Sequence, residues 1–428
     1  MHGFMIAAPH SGSGKTVVTL GLLRAFRNRG LSVAPAKAGP DYIDPAFHTL
    51  AAGSESVNLD PWAMRSGTVQ GLAYRWLGGA DIAIIEAMMG LFDGAADGTG
   101  SAADLAAQLS LPVVLVVDAS RMAHSIAALV SGYRAYRNDM NIAGVILNRV
   151  GSPRHETMLR EALVPINIDV LGAIPSDDRL RLPSRHLGLV QAQEHRDFDA
   201  FAEAAAEVVG NNCDLDALSK LTAMMNDSGD VTAIAPLGQK IAIAKDAAFS
   251  FLYPHVTYGW RVQGAELSFF SPLANEAPVD DADAVFLPGG YPELHASALA
   301  NASTFKAAMR DAADRGALIY GECGGYMVLG DTLVDADGQG HEMLGLLSLE
   351  TSFAQRKRQL GYRNVSPLTD LPWTSNLTAH EFHYSVATRE EGDPLFVAWD
   401  AKGADLGACG LRDGRVCGSY MHVIDQTQ

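Results

Sequence analysis

Two short stretches carry side chains whose types and spacing could do chemistry. In PHSGSGKT, residues 9–16, Gly14, Lys15 and Thr16 complete the phosphate-loop template G-x-x-x-x-G-K-[ST], with Pro9 where the template has its first glycine. The backbone amides of residues 11–16, Gly12, Ser13 and Gly14 among them, are expected to face a phosphate chain. Lys15 would reach the β- and γ-phosphates, and the Thr16 hydroxyl would ligate Mg²⁺. In GECGG, residues 321–325, Cys323 has the setting of a nucleophile elbow, a strand turning sharply into a helix whose dipole favours thiolate. His422 in GSYMHV is the candidate base, and the amides of Gly290, in LPGGYPE, and Gly324 are expected at an oxyanion. Phosphoryl transfer fits the first stretch and acyl transfer from a thiol the second.

Acidic and basic groups accumulate around the first stretch. KAGPDYIDP, residues 37–45, offers Lys37, Asp41 and Asp44, DIAIIEAM ends near Glu86, and MGLFDG brings Asp93. Mg²⁺ bound to ATP needs one or two carboxylates besides the loop hydroxyl, and Thr16, Asp41 and Glu86 make such a set. Lys37 and Lys15 could neutralise charge as a phosphoryl group passes to an acceptor carboxylate. Asp44 and Asp93 are candidates to orient the acceptor or incoming ammonia, with turn capping as the competing role for each.

These residues must be placed by the elements around them. FMIAA is a short apolar run suited to a buried strand, and Leu20, Leu23 and Phe26 recur at helical spacing until Gly30. Further apolar segments start near residues 31, 81, 112, 142 and 168 with helical patterns between them, which predicts a doubly wound parallel α/β sheet. Such a sheet binds ligands at the carboxyl ends of its strands, where Lys37, Glu86, Asp118 and Asn148 fall. The pattern weakens after Val209 and restarts at KIAIAKDAAF, so the expected division is a domain over residues 1–210, a linker over 211–238 and a second α/β domain over 239–428. In the second domain, strands are expected at 266–272, 283–290 and 317–325, a helix at about 303–315, and short strands and turns from about His341.

Composition limits the function classes. A chain of 428 residues exceeds the size of a single core, in keeping with two domains. A net charge of −17 argues against broad nucleic-acid binding, so anionic ligands must be held by local cationic pockets. No apolar run reaches membrane-spanning length, and a cytoplasmic enzyme without membrane partners is expected. Cys213, Cys323, Cys409 and Cys417 lack zinc spacing and are expected as thiols. His380 and His383 of HEFHYS would lie on opposite faces of a strand, which favours a pocket or structural role over metal binding. RKRQLGYR, residues 356–363, reads as a solvated face or as a clamp for substrate carboxylates.

The Cys323 region resembles the class I glutamine amidotransferase domain, which implies thioester chemistry on glutamine with release of ammonia. Most of that class place a glutamate two residues after the histidine, whereas this chain has Ile424, leaving a Cys323–His422 pair without a known orienting group. Over nearly its whole length the chain resembles the cobyrinic and hydrogenobyrinic acid a,c-diamide synthase family. The resemblance rests on SGSGKT, KAGPDYIDPAFH, NLDPWAM, MGLFDG, ILNRVGSPRHE, LPSRHLGLVQAQEH, LPGGYPELH, YGECGGYM and HEFHYS. It implies a dethiobiotin-synthetase-like domain joined to a glutaminase, using ATP, Mg²⁺ and glutamine to amidate the a and c acetates of a corrin ring. By similarity to dethiobiotin synthetase, Thr16, Asp41 and Glu86 would hold the metal and Asn148 would meet the adenine. Family members usually read EGVMGLFDG, and Ala87 here adds a methyl group beside Glu86. The partners implied are the corrinoid polycarboxylate, glutamine and ATP, and a homodimer is one assembly open to such a chain. Because ammonia and acyl phosphate both need shielding from water, two active sites facing one another are expected. Amidation of nickel sirohydrochlorin and a regulatory or partitioning ATPase remain the alternative functions.

Overall fold

A computed structural model of the protein describes residues 2–181, 184–185, 188–189, 197–223, 233–368 and 370–427. They form two compact units, Met1–Trp62 with Ser66–Val231, and Ala63–Arg65 with Thr232–Gln428.

The first unit alternates strand and helix: β1 (Gly3–Ala7), α1 (Lys15–Asn28), β2 (Val33–Ala38), α2 (Asp44–Ala52), β3 (Val57–Leu59), α3 (Ser66–Leu77) and β4 (Ile82–Glu86). It continues through α4 (Ala102–Gln108), β5 (Pro112–Asp118), α5 (Ser125–Tyr136), β6 (Asn141–Val150), α6 (Pro153–Leu163) and β7 (Val170–Pro175). Two short strands, β8 (Ser184–Arg185) and β9 (Gly188–Leu189), precede α7 (Phe198–Asn212) and α8 (Leu215–Ser219). Among the described residues, β1 to β7 form one parallel sheet in the order β3-β2-β4-β1-β5-β6-β7. Strands such as IAIIE and PVVLVVD are apolar almost throughout because helices cover both sheet faces. Phe4, Ile6, Leu22, Phe26 and Val116 pack there with Phe198 and Val209 of α7. With β1 central, the loop that follows it opens at the sheet's ligand-binding edge.

The doubly wound sheet agrees with the sequence pattern, and β3 is an addition, since three residues are too few to show a period. The segment expected as a linker begins inside α7. Cys213 bridges to Gly172 and Thr222 to His2, which ties residues up to 222 to the first unit. Residues 224–232 and most of LPSRHLGLVQAQEH lie outside the described residues.

The second unit opens with β10 (Lys240–Ala244), α9 (Pro254–Val262), β11 (Glu266–Phe270), β12 (Ala284–Leu287), α10 (Ala296–Asn301), α11 (Ser303–Asp314), β13 (Leu318–Glu322) and α12 (Gly324–Leu329). Short strands then dominate: β14 (Thr332–Val334), β15 (Gly340–Glu342), β16 (Leu349–Ser352), β17 (Gln359–Pro367), β18 (Leu377–His383) and β19 (Val386–Glu390). The chain ends with β20 (Asp393–Asp400), β21 (Asp405–Asp413), β22 (Val416–Ser419) and β23 (Met421–Gln426). The main sheet runs β11-β10-β12-β13-β22-β21-β20-β17-β18-β23, parallel as far as β22 and antiparallel beyond.

The turn from β13 into α12 is packed to the limit. A Cβ on Gly325 would stand 1.9 Å from the Leu287 carbonyl oxygen, a backbone atom of the neighbouring strand that cannot move aside. Gly325→Ala should therefore cost about 1–3 kcal/mol of stability by overpacking. It should lower the thermal unfolding midpoint of the full-length protein, as differential scanning calorimetry would measure.

Candidate active sites

In the first unit, the loop after β1 closes through two glycines in left-handed conformation, Gly12 (φ 83°) and Gly14 (φ 93°). A Cβ on Gly14 would lie 2.2 Å from Asn148 Nδ2, so only glycine admits the side chain that braces the loop. Asn148, at the end of β6, donates from Nδ2 to the Ser13 carbonyl at 2.9 Å, and its Oδ1 accepts the Arg149 N–H at 3.0 Å. Lys15 begins α1 and donates to the Met89 carbonyl at 2.5 Å. Burial lowers its pKa, and the nearby Glu86 carboxylate opposes that shift.

A buried ionic cluster stands at the ends of β2 and β4, where Lys37 and Glu86 are direct partners in the parallel register. Lys37 Nζ lies 2.5 Å from Asp44 Oδ2, 3.1 Å from Glu86 Oε1 and 3.6 Å from Asp41 Oδ2. Burial alone would discharge Lys37, but Asp44, Glu86 and Asp41 outweigh it and hold the ammonium protonated. Burial would likewise raise Glu86, yet Lys37, His48 and the Thr16 hydroxyl keep that carboxyl well below the usual range. Asp44 shifts the other way, pushed up by burial and by the charge of Asp41. Thr16 Oγ1 donates to Glu86 Oε1 at 2.8 Å.

Asp41 Oδ1 accepts the N–H groups of Ile43 (2.8 Å) and Asp44 (3.2 Å) ahead of α2, which leaves Oδ2 toward Lys37. Asn58 of β3 donates to the Gly39 and Asp41 carbonyls and fixes this loop. Asp93 is exposed and accepts the Gly90 N–H at 2.8 Å, so it caps the MGLFDG turn while its charge still reaches Lys15. Thr16, Glu86 and Asp41 offer only oxygen donors of the kind a magnesium ion takes. Among the described residues no three His, Cys, Asp or Glu side chains form a metal cluster, so phosphate oxygens and water would complete the coordination of an ion held there.

In the second unit Cys323 has φ 46° and ψ −103°, a strained backbone for a residue with a Cβ, between β13 and α12. Its N–H donates to the Ser419 carbonyl at 2.8 Å and Sγ faces the Phe382 carbonyl at 3.7 Å. Burial opposes the thiolate that the helix terminus favours. Burial pushes the Cys323 thiol far up, and the carboxylates of Glu293, Glu322 and Glu381 add to it, outweighing the Gly324 amide. The LPGG turn is wedged between the elbow and the histidine. A Cβ on Gly324 would sit 3.1 Å from the Gly290 nitrogen, and one on Gly289 would sit 2.3 Å from His422 Cε1. The backbones of Gly290 and Gly324 thus lie in close contact. His422 is buried, and burial with the neighbouring His380 and His383 pushes its pKa down to about 3.

HEFHYS divides by strand parity. His380 pairs with His422 across β18 and β23, whereas His383 stacks on Tyr420 at 3.9 Å and contacts Glu381 at 3.1 Å. Arg363 closes on Glu381 at 2.7 Å, while Arg356, Lys357 and Arg358 are exposed, so the basic run is part ion pair and part solvated loop. Glu381, Lys357, Ser385 and Tyr420 line a cavity of about 250 Å³.

Comparison with known proteins finds relatives for both units. Residues 4–190 match the CobQ/CobB/MinD/ParA nucleotide binding domain, and residues 240–428 match the CobB/CobQ-like glutamine amidotransferase domain. The chain is 60% identical over 430 residues to the hydrogenobyrinate a,c-diamide synthase of Brucella suis, which covers 99% of each chain. Identity is 59% over 426 residues, again 99% of each, to the enzyme of that name from Rhizobium meliloti. It is 50% over 430 residues, 98% of each, to that from Mesorhizobium japonicum. The chain belongs to the hydrogenobyrinate a,c-diamide synthase family.

Within this family fold, the residues expected around the phosphate loop divide by placement. Thr16, Lys37, Asp44 and Glu86 meet in one cluster with Asp41 at its rim, whereas Asp93 is a turn cap and Asn148 braces the loop. Ala87 is fully buried and its N–H donates to the Ile6 carbonyl at 2.8 Å, so the extra methyl group is accommodated.

His48 was not foreseen. It is fully buried on α2, with Nε2 2.7 Å from Glu86 Oε2. Its signal was the DPAFH spacing, which puts Asp44 and His48 on one helix face. An ionised carboxylate only accepts, so Nε2 carries the proton of that bond. His48→Leu should leave Glu86 short of a donor and destabilise the protein by about 1–3 kcal/mol. In urea unfolding, His48→Gln, which keeps an N–H donor, should lose less.

Proposed function

We propose that this chain uses ATP and glutamine to amidate the a and c acetate carboxylates of hydrogenobyrinate, in two rounds per ring, on the route to cobalamin. The observation that carries the reading is the pairing, in one chain 60% identical to a named synthase, of a phosphate loop with a buried carboxylate cluster and a strained cysteine elbow. A regulatory or partitioning ATPase would have no use for Cys323 with the Gly290 turn beside it.

In glutamine hydrolysis, His422 takes the Sγ proton as Cys323 attacks the carboxamide carbon. Charge on the carbonyl oxygen falls to the Gly290 and Gly324 amides. The C–N bond breaks as His422 returns the proton to nitrogen, ammonia leaves, and water hydrolyses the thioester to glutamate. Glu381 and Lys357 offer charges of the right sign for the α-ammonium and α-carboxylate of glutamine.

In the synthetase domain, an acetate oxygen attacks the γ-phosphorus of ATP and ADP departs. Ammonia then attacks the acyl phosphate carbon, and phosphate leaves with formation of the amide. Thr16, Glu86 and Asp41 would hold a magnesium ion, which supplies charge neutralisation to the phosphates when bound. Lys15, released from the Met89 carbonyl, and Lys37 stabilise the charge on the transferring group. Asp44 positions acceptor or ammonia beside Lys37, Asp93 holds the turn that presents the Met89 carbonyl, and Asn148, while bracing the loop, would meet the adenine edge with its remaining amide hydrogen. The synthetase domain runs over residues 1–210 with the docked segment up to 222, and the amidotransferase domain over 239–428, in a cytoplasmic protein open to homodimer formation.

Cys323→Ser should abolish glutamine-dependent amidation and retain diamide formation from ammonium salts with ATP. Mass spectrometry of the two successive mass steps on hydrogenobyrinate, cobyrinate and nickel sirohydrochlorin reads this out. Equal loss with glutamine and ammonium would sink the division of labour, and preference for another ring would reassign the substrate.

A further inference from the structure

We propose that Glu322, the residue immediately before the nucleophile, is the carboxylate that orients His422 during glutamine hydrolysis, a role that rests on the glutaminase reading above. The position two residues after the histidine is Ile424, which is apolar and buried, so an orienting group must come from another element. Strand β13 supplies one. Glu322 Oε2 stands 3.9 Å from His422 Nδ1, while Oε1 accepts the N–H of Val423 at 3.1 Å. The carboxylate is thus anchored to the residue that follows the histidine, and the side chains of the pair are only 6% and 1% exposed. At 3.9 Å the contact is longer than a hydrogen bond, as catalytic contacts often are before substrate tightens them.

The consequence for the imidazole is specific. An ionised carboxylate only accepts, so a proton held on Nδ1 leaves the Nε2 lone pair to take the thiol proton. As Nε2 becomes protonated, the imidazolium forms beside a carboxylate in a setting where water screens little. Glu322 and Cys323 are consecutive, so the strained elbow that presents the thiol also fixes the group that aligns its base. The proton ledger is unchanged: the thiol proton goes to Nε2 and then to the departing ammonia, and Glu322 keeps its charge.

The surroundings give this role a pH signature. Glu322 also lines a small cavity with Phe251, Tyr253, Trp260, Phe286 and Trp373, and burial there pushes its carboxyl up to about 8, against the opposing pull of the Val423 amide and the Tyr320 hydroxyl. The other titratable groups facing the pair are His380 and His383 on His422, and Glu293 and Glu381 on Cys323. For an acid raised by burial, the ionised form grows as pH climbs, so kcat/KM for glutamine should rise through about pH 8. The same shift makes ionisation of Glu322 cost folding stability as pH rises from the ordinary carboxyl range toward 8, and a neutral replacement relieves that cost.

Glu322→Gln in the full-length enzyme keeps side-chain size and an oxygen acceptor for Val423. We expect kcat for glutamine hydrolysis to fall by about 10²-fold or more with KM little changed. The rise through about pH 8 should vanish, ammonium-driven amidation should persist, and stability in alkali should not fall. Glu322→Asp, which keeps the charge, should recover part of kcat. Wild-type glutaminase kinetics in Glu322→Gln, or a loss that leaves the alkaline rise in place, overturns the assignment while Cys323→Ser still abolishes hydrolysis. Intact hydrolysis in Cys323→Ser overturns the glutaminase reading and this assignment with it.

Discussion

A lysine ammonium buried at the end of a parallel strand fixes much of what surrounds it. Lys37 is 3% exposed and stands opposite Glu86 in register, in a sheet whose strands are apolar on both faces. An uncompensated charge there would cost several kcal/mol, so the chain must bring carboxylates to it. Glu86 comes from the adjacent strand, and Asp41 and Asp44 come from the loop and first turn that follow Lys37 itself. The loop can curl back because Asn58 ties the Gly39 and Asp41 carbonyls to β3. Thr16 and His48 then occupy the two oxygens of Glu86, so the start of α1, α2 and the strands β2 and β4 are locked through one carboxylate.

The elbow in the second unit follows the opposite electrostatic rule. Burial there raises Cys323 and Glu322 and lowers His422, so each group is driven toward its neutral form. Among the described residues no cation comparable to Lys37 is placed beside them to favour a thiolate. A neutral thiol is protected from chance oxidation and alkylation, since the thiolate is the reactive species. In the reaction proposed above, its activation has to come with proton transfer to the histidine as the substrate carbonyl arrives.

The difference in rule explains what was legible in the sequence. Apolar strands and Gly-rich turns are local signals, and they located the parallel sheet, the phosphate loop, the elbow and the restart at Lys240. The cluster of Thr16, Lys37, Asp41, Asp44 and Glu86 was legible because each stands at a strand end, in the loop after one or at the start of the helix that follows. His48 and Asn58 were hidden because they act on neighbours' carbonyl and carboxylate oxygens, through helix geometry and an edge strand too short to show a period. Asp93 was chemically eligible, but its carboxylate is engaged by the turn it closes. The polar stretch from residue 211 opens with the last two residues of α7, Asn211 and Asn212, and continues through α8.

At Cys323 burial and the helix terminus pull the thiol in opposite directions. The helix after Cys323 is only six residues long, and its dipole acts on a sulfur that is 3% exposed and flanked by three carboxylates. A terminal dipole is worth at most about 2 kcal/mol, whereas full desolvation can move a group by 3–5 pKa units, about 4–7 kcal/mol. Sequence shows the turn but not the depth at which it is buried, and depth decides the sign. The same reasoning makes Glu322 informative: a carboxyl this buried is costly to keep on stability grounds alone, and its oxygens point to the histidine and to the amide beyond it.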